Sequence, residues 1–176
     1  MRIFDINLRT VVEDDAEFIL SLRTDERKKR FISETNSSVK NQREWIKKYK
    51  AREEKKTEYY FIASDLDGED FGLYRVYKIE TGLPEIGSWI TKPGYQKVLN
   101  PIKLDITIKD FVFNTLQLNA LQFEVRRHNL SVNKYHQMFG AELIREDEIN
   151  NYYLLTREKF ENNKTKLLYK FKITVL

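Results

Sequence analysis

Between residues 58 and 91 three strand-like runs follow one another with only short turns between them. EYYFIAS at 58–64 and FGLYRVYKIE at 71–80 are rich in aromatic and β-branched residues, and DLDGED between them has the composition of a turn. Together they predict a hairpin. ETGLP turns the chain again, and EIGSWIT at 85–91 gives a third strand. A chain committed to such a meander builds an antiparallel sheet. Its remaining segments must extend the edges of that sheet or cover its faces.

The flanking sequence offers both. RIFDINLRTVV at 2–12 reads as a strand, and EDDAEFILSLR as a helix with Ala16, Ile19, Leu20 and Arg23 on one face and acids at its N-terminus. A second helix is predicted at about 38–53, capped by Ser37 or Ser38, with Trp45, Ile46 and Tyr49 as its apolar stripe. KPGYQKVLNP is a loop. In 102–116, Leu104, Ile108, Phe111, Val112 and Thr115 fall at helical spacing; the β-branched residues weaken a helix there, and the length favours it. LQFEVRR at 121–127 is a strand, and 130–139 a helix with Asn129 as N-cap and Gly140 at its stop. ELIRE and NYYLLTRE are strands around a DEIN turn, and LLYKFKITV at 167–175 alternates like an added strand. The expected fold class is α/β: a mixed, mostly antiparallel central sheet with helices on both faces. No repeat or linker divides the chain, so a single domain over 1–176 is expected.

Composition removes several functions. The 176 residues are 41% hydrophobic and carry 33% charged side chains with a net charge of only +4, a globular balance. There is no cysteine, which excludes disulfides, thiolate catalysis and cysteine metal sites. The two histidines, His128 and His136, have seven residues between them and make a poor metal pair, so no metal is expected. No run approaches the roughly 18 apolar residues of a membrane span. The start MRIFDINLRT has no apolar signal core, which places the chain in the cytoplasm with no membrane partner. The pI of about 9.1 comes from mixed runs, RTDERKKR at 23–30, REWIKKYKAREEKK at 43–56 and TREKFENNKTK at 156–166, which read as solvated helix faces more than as an anion-binding surface. With no basic stripe and interleaved exposed aromatics, a nucleic-acid partner is not expected.

Four places in this order resemble the GCN5-related N-acetyltransferase superfamily over residues 6 to about 160. LRTVVEDDAEFILSL resembles its opening strand and first helix. EIGSWIT followed by KPGYQKV resembles the strand and phosphate loop that receive acetyl-CoA. FEVRRHNLSV resembles the strand–Asn element of the acyl-CoA cleft, and NKYHQMFGAELI the helix and Gly-aromatic junction that close it. The phosphate loop departs from the family: in QKVLNP, Gln96 matches, but Leu99 and Pro101 stand where small residues are usual. Glycines there let backbone N–H groups turn to a pyrophosphate. The loop then takes another path, or Lys92, Lys97 and Lys103 hold phosphate instead, or CoA binding is weakened. Within the superfamily, GSWI, the glycine-poor loop and H..FGA look most like the branch that acylates amino groups of nucleotide-linked deoxysugars. The branch that acetylates ribosomal-protein N-termini is the near neighbour, and a non-catalytic binding module on the same fold is a third reading.

The resemblance implies acetyl-CoA or another short acyl-CoA as co-substrate, a small-molecule amine as acceptor, and allows a homodimer. It places acyl-CoA against Ser88, Trp89, Ile90, Gln96, Lys97, Val98 and Asn129. A backbone N–H between Ser88 and Ile90 is aimed at the thioester carbonyl. On the same template His136 stands where a group protonates the departing thiolate, with Tyr135 as its alternative and Glu85 as acceptor of the amine proton. Each has a plainer reading: His136 and Tyr135 as core residues on one helical face, Glu85 as an exposed strand-end carboxylate, Asn129 as a helix cap. Arg75 and Tyr77 share one side of a strand and are candidates for the acceptor. Arg126 and Arg127 alternate, so only one of them faces the cleft.

Overall fold

The computed structural model describes residues 4–32, 38–95 and 99–174. β1 (Asn7–Thr10) is followed by α1 (Ala16–Arg23) and α2 (Val39–Glu54). Then come β2 (Tyr59–Ser64), β3 (Asp70–Tyr77) and β4 (Glu85–Thr91). α3 (Asn100–Asp110), β5 (Ala120–Arg126) and α4 (Leu130–Met138) follow. β6 (Glu142–Glu146), β7 (Asn150–Thr156) and α5 (Arg157–Phe171) complete the described chain. Its seven strands form one sheet in the order β1-β2-β3-β4-β5-β7-β6. Every neighbouring pair is antiparallel except β4 and β5.

The meander forms as its sequence dictates. β2 and β3 pair from Tyr59 opposite Val76 to Ser64 opposite Asp70. Alternation then sorts the side chains. Tyr60, Ile62, Leu73 and Ile90 pack with Ile19 and Leu22 of α1 and Ile46 and Tyr49 of α2. Phe61, Ala63, Tyr74, Val76 and Ile86 belong to the opposite cluster, with Leu104 and Ile108 of α3, Tyr135 of α4 and Phe160 of α5. Helices therefore cover both faces. α1 is entered through a short turn in which Asp15 accepts from the Val12 N–H at 2.7 Å and grips Arg9 with both oxygens at 2.8 Å. The Ser38 hydroxyl caps α2 by accepting from the Asn41 N–H at 3.3 Å. Past α3, Phe111–Thr115 form a wider π turn closed by the Leu116 N–H on the Phe111 carbonyl at 2.9 Å. That extra residue rotates the apolar stripe, so Val112 stays buried while Thr115 is exposed.

The chain's end differs from its sequence reading. Alternation predicts a strand at 167–175; the structure has the helix α5 instead, capped by the Thr156 hydroxyl accepting from the Lys159 N–H at 3.3 Å. Phe160, Leu167, Leu168 and Phe171 fall on one helical face and pack on the core. The tail and the charged run before it are one amphipathic helix, and a window confined to the tail samples only its last turns. Among the described residues no helix is long and apolar enough to cross a membrane.

A strand would set Leu167 and Tyr169 on one face, whereas in α5 Leu167 is buried and Tyr169 is 87% exposed. Urea unfolding of Leu167→Ala is expected to show a loss of about 2–5 kcal/mol. Tyr169→Ala should stay within about 0.5 kcal/mol of the parent. Equal losses would contradict the helix.

Candidate active site

β4 and β5 touch at one end and then part. Their register holds a single Cα pair, Glu85 opposite Gln122, next to a bond from the Gln122 N–H to the Pro84 carbonyl at 2.9 Å. The cause lies in β4. Gly87 faces Arg75 and Ile90 faces Leu73, so Ser88 and Trp89 together oppose Tyr74. This is a β-bulge, and Ser88 takes a left-handed backbone conformation to make it (φ 52°). β5 meanwhile follows β7 through seven consecutive pairs from Ala120 to Arg126. The strand that bends leaves the strand that does not, and a cavity of about 480 Å³ opens between them. Residues 86–91 of β4 and 123–126 of β5 form its sides, and Asn129, Val132 and His136 its floor.

Such a gap fits the pantetheine arm of an acyl-CoA. Beyond Glu85 the facing edges of β4 and β5 are unpaired, and an extended chain with amide groups can bond to them as a strand would. At the α3 end, Leu99 adopts the left-handed conformation (φ 60°) that a glycine would provide, a departure of about 1–2 kcal/mol for an ordinary residue. Its carbonyl accepts from the Ile102 and Lys103 N–H groups at 3.0 Å, and Pro101 occupies the first turn, where its missing N–H costs little. The glycine-poor sequence thus still starts its helix at the cleft, which Pro101 lines. The Trp89 indole N–H fastens that turn to β4 by donating to the Pro101 carbonyl at 3.1 Å. Gln96, Lys97 and Val98 lie outside the described residues. Lys103 is engaged by Asp5 at 2.7 Å, and Lys92 sits 3.7 Å from Glu69.

The remaining sequence-predicted residues divide. Ser88, Trp89, Ile90, Asn129, Arg75, Tyr77 and His136 all line the cavity. Asn129 occupies the N-cap position of α4, but its side chain makes no capping bond, and among the described residues its side-chain oxygen accepts only from the Ser131 hydroxyl at 3.4 Å. Arg126 is the cleft-facing member of its pair; Arg127 turns outward and donates to the Asp147 carbonyl at 3.0 Å. Tyr135 lies outside the lining, and its hydroxyl donates to Asp105 at 2.7 Å. Glu85 is also outside, held by Lys78 at 2.5 Å and by the Gln122 amide at 3.1 Å. Among the described residues the carboxylate that does line the cavity is Glu124, which accepts from the Asn150 amide at 3.3 Å. Its signal in the sequence is alternation alone: Phe123 and Val125 enter the core, so Glu124 and Arg126 turn to the other side.

Behind the floor lies a buried polar cluster. Asp105 and Lys109, one turn apart on α3, are fully buried and 2.5 Å from each other. Asp105 also accepts from the hydroxyls of Tyr74 at 2.6 Å and Tyr135 at 2.7 Å. Burial works against its charge, but the Lys109 ammonium and the hydrogen bonds from Lys109 and Tyr74 outweigh that and hold the carboxyl below its ordinary range. Lys109 approaches His136 Nδ1 at 3.2 Å and lies 4.2 Å from the Phe139 ring centre. Burial, aided by the neighbouring Lys109 charge, pushes the imidazole down to about 3, so the ring is neutral near pH 7.

Toward the opposite end the lining is basic. Among the described lining residues are five cations, Arg23, Arg27, Lys28, Arg75 and Arg126, against one carboxylate, Glu124. Arg75 is the most firmly built. Its Nε donates to Glu58 at 2.6 Å, and its guanidinium lies over the rings of Tyr77 at 4.5 Å and Trp45 at 5.2 Å. Glu58 is itself buried and accepts from Arg52 at 2.6 Å. Arg23 donates to the Ser88 hydroxyl at 3.0 Å, and Arg126 to the Asn150 amide oxygen at 3.1 Å.

Residues 5–142 match the model of the acetyltransferase (GNAT) domain. Among solved structures, apo FdhC, described as a nucleotide-linked sugar GNAT, is 34% identical, superposes with a TM-score of 0.83 and is covered over 95% of each chain. The spermidine N-acetyltransferase SpeG of Vibrio cholerae, in complex with CoA and spermine, shares the fold at 18% identity, with a TM-score of 0.71 over 90% of this chain and 99% of that one. A mutant form of the same enzyme superposes at 0.72 with 19% identity, over 91% of this chain and 98% of that one. No curated protein matches in sequence.

In the folded chain His136 resists protonation down to about pH 3, while the unfolded chain binds that proton near 6.5. Between those values the unfolded state holds more protons, so stability falls as pH drops from 6.5 toward 3 and is unaffected by this group above 6.5. Urea unfolding at about pH 7 and pH 5 should therefore show a larger loss in the parent than in His136→Gln. Equal losses would mean that the ring is solvated.

Proposed function

The chain belongs to the GNAT acetyltransferase family and is an N-acetyltransferase, and from that premise we propose that it transfers an acetyl or other short acyl group from acyl-CoA to the primary amine of a nucleotide-linked amino deoxysugar. The observation that carries the acceptor class is the basic end of the cleft. Among the described lining residues five cations stand against one carboxylate; Arg27 is paired with Asp25 and Arg75 with Glu58, and the positive charge that remains attracts a substrate with a diphosphate and repels a polyamine. Arg75 is prepared for an anion, because Glu58 and two aromatic rings fix its guanidinium and little side-chain freedom is lost on contact. The 34% identity to a nucleotide-linked sugar GNAT supports the same reading.

In the reaction the neutral amine attacks the thioester carbon. A C–N bond forms, the C–S bond breaks, and the proton lost by the amine ends on the CoA sulfur. Backbone N–H groups between Ser88 and Ile90, freed from β5 by the bulge, polarise the carbonyl. Asn129 contacts the pantetheine arm, and Gln96, Lys97 and Val98, which precede α3 in sequence and lie outside the described residues, are the residues we assign to the pyrophosphate. Glu124 is the carboxylate placed to draw off the amine proton; Glu85 meets the cleft through Tyr77, whose hydroxyl is pushed up by burial and then by Glu85.

A thiol-release assay decides the acceptor. Acetyl-CoA with a nucleoside-diphosphate amino deoxysugar should turn over, while spermidine and an N-terminal peptide should not; turnover on spermidine alone would overturn the reading. Arg75→Lys keeps the charge but loses the fixed fork. It should raise the KM for the sugar nucleotide about 10-fold or more, as expected for a lost charge-assisted contact, and leave the KM for acetyl-CoA unchanged.

A further inference from the structure

His136 has two ring nitrogens in different circumstances. Nδ1 lies 3.2 Å from the Lys109 amine. An ammonium has three donors and no acceptor, so Nδ1 must be the acceptor, and a neutral ring then carries its one proton on Nε2. Nε2 has no hydrogen-bond partner among the described residues. With Nδ1 taken by Lys109, Nε2 is the nitrogen left for the cavity that the ring lines. The arrangement depends on Lys109 remaining charged. Burial pulls the Lys109 amine below its ordinary range, and Asp105 at 2.5 Å and the face of Phe139 at 4.2 Å work against that and favour the ammonium. Asp105 is fixed in turn by the hydroxyls of Tyr74 from β3 and Tyr135 from α4.

We infer that Lys109, anchored by Asp105, is a positioning residue that locks His136 in its Nε2–H tautomer, and that this N–H is a hydrogen-bond donor to the negative charge gathering on the thioester group as it is cleaved. The role rests on the acyl-transfer reading above and goes beyond it by giving the imidazole no proton to exchange. No bond to His136 forms or breaks. A neutral imidazole holds its proton far more tightly than a thiol, which ionises near about 8.5, so the ring stabilises the leaving group without protonating it. A neutral histidine acting as donor is a known catalytic device. The titratable groups facing the ring are Lys109 and Asp105 from α3 and Tyr135 from its own helix, with Tyr74 reached through Asp105. Trp89 of β4 and Phe123 of β5 supply apolar walls, with ring centres 5.6 and 4.3 Å away.

The test begins on the unmodified protein without substrate, so the acceptor assignment can fail by itself. With only two histidines in the chain, nitrogen-15 imidazole spectra are simple, and His128→Gln assigns them. The expected pattern is an Nε2–H tautomer that stays unchanged between about pH 5 and 8. An Nδ1–H tautomer, or an imidazolium appearing in that range, would overturn the inference. Lys109→Met combined with Asp105→Asn removes both buried charges together; the tautomers should then mix and kcat should fall, and an unchanged tautomer would remove Lys109 from the role. In kinetics, His136→Phe should lower kcat by about 100- to 1000-fold, the usual cost of a lost oxyanion-type donor, with little change in the KM for acetyl-CoA. His136→Gln, which keeps a neutral N–H, should recover most of that loss. Equal losses in the two variants, or none in His136→Phe, would refute the donor.

Discussion

Two neighbouring strands that part after a single pair decide the shape of this molecule. A parallel pair such as β4 and β5 requires a crossover, here supplied by α3, and a helix packed over the junction would ordinarily let the two edges zip together. The bulge at Ser88 and Trp89 prevents it by turning β4 while β5 stays bound to β7. The wedge is then held open from both sides. Trp89 bonds the start of α3 through Pro101, and Gly72 on β3 lets α3 lie flush on the sheet, since a Cβ there would stand 3.0 Å from Leu104 Cδ2 and 3.2 Å from Thr91 Cγ2.

The second organising element is the ion pair behind the wedge. Two fully buried charges are seldom a source of stability, because their desolvation consumes most of the attraction. What the Asp105–Lys109 pair does provide is geometry. Through Tyr74, Tyr135 and His136 it ties α3 to β3 and to α4, the three elements around the cleft floor. An apolar replacement of equal volume would pack as well, yet it would leave the imidazole free to choose its tautomer. The surrounding aromatic rings, Trp89, Phe123, Tyr135 and Phe139, keep water from competing for these bonds.

Much of this architecture is legible from local pattern. The hairpin, the strand at 85–91, the helices over 16–23 and 39–54 and the Gly140 stop all follow from periodicity and capping chemistry acting over a few residues. What escapes the sequence is convergence. RTDERKKR reads as a solvated run, and Lys29 does pair with Glu26 and Arg27 with Asp25, but Arg23, Arg27 and Lys28 from the same run also line the cavity. Nothing local separates the two groups. Likewise Glu85 and Glu124 are both strand carboxylates, and only the parting of β4 from β5 makes the second a cleft residue. Leu99 is the reverse case: its identity argues against a phosphate-loop turn, and the neighbouring bonds impose the left-handed backbone regardless.

The charge distribution also bears on how an amine becomes a nucleophile in this cleft. The aminosugar proposed as acceptor would enter largely as its ammonium form, and a strong general base would be the usual remedy. Here the ring at the floor is neutral, and among the described residues the lining holds one carboxylate beside five cations. Positive surroundings disfavour an ammonium just as they favour a phosphate. Where the phosphates of the acceptor leave some of that charge unneutralised, it assists the loss of the amine proton, and the demand on Glu124 becomes modest. On the acceptor proposed above, one set of arginines and a lysine would thus serve two purposes that polyamine recognition would set against each other, because that acceptor carries its amine and its anion on the same small molecule.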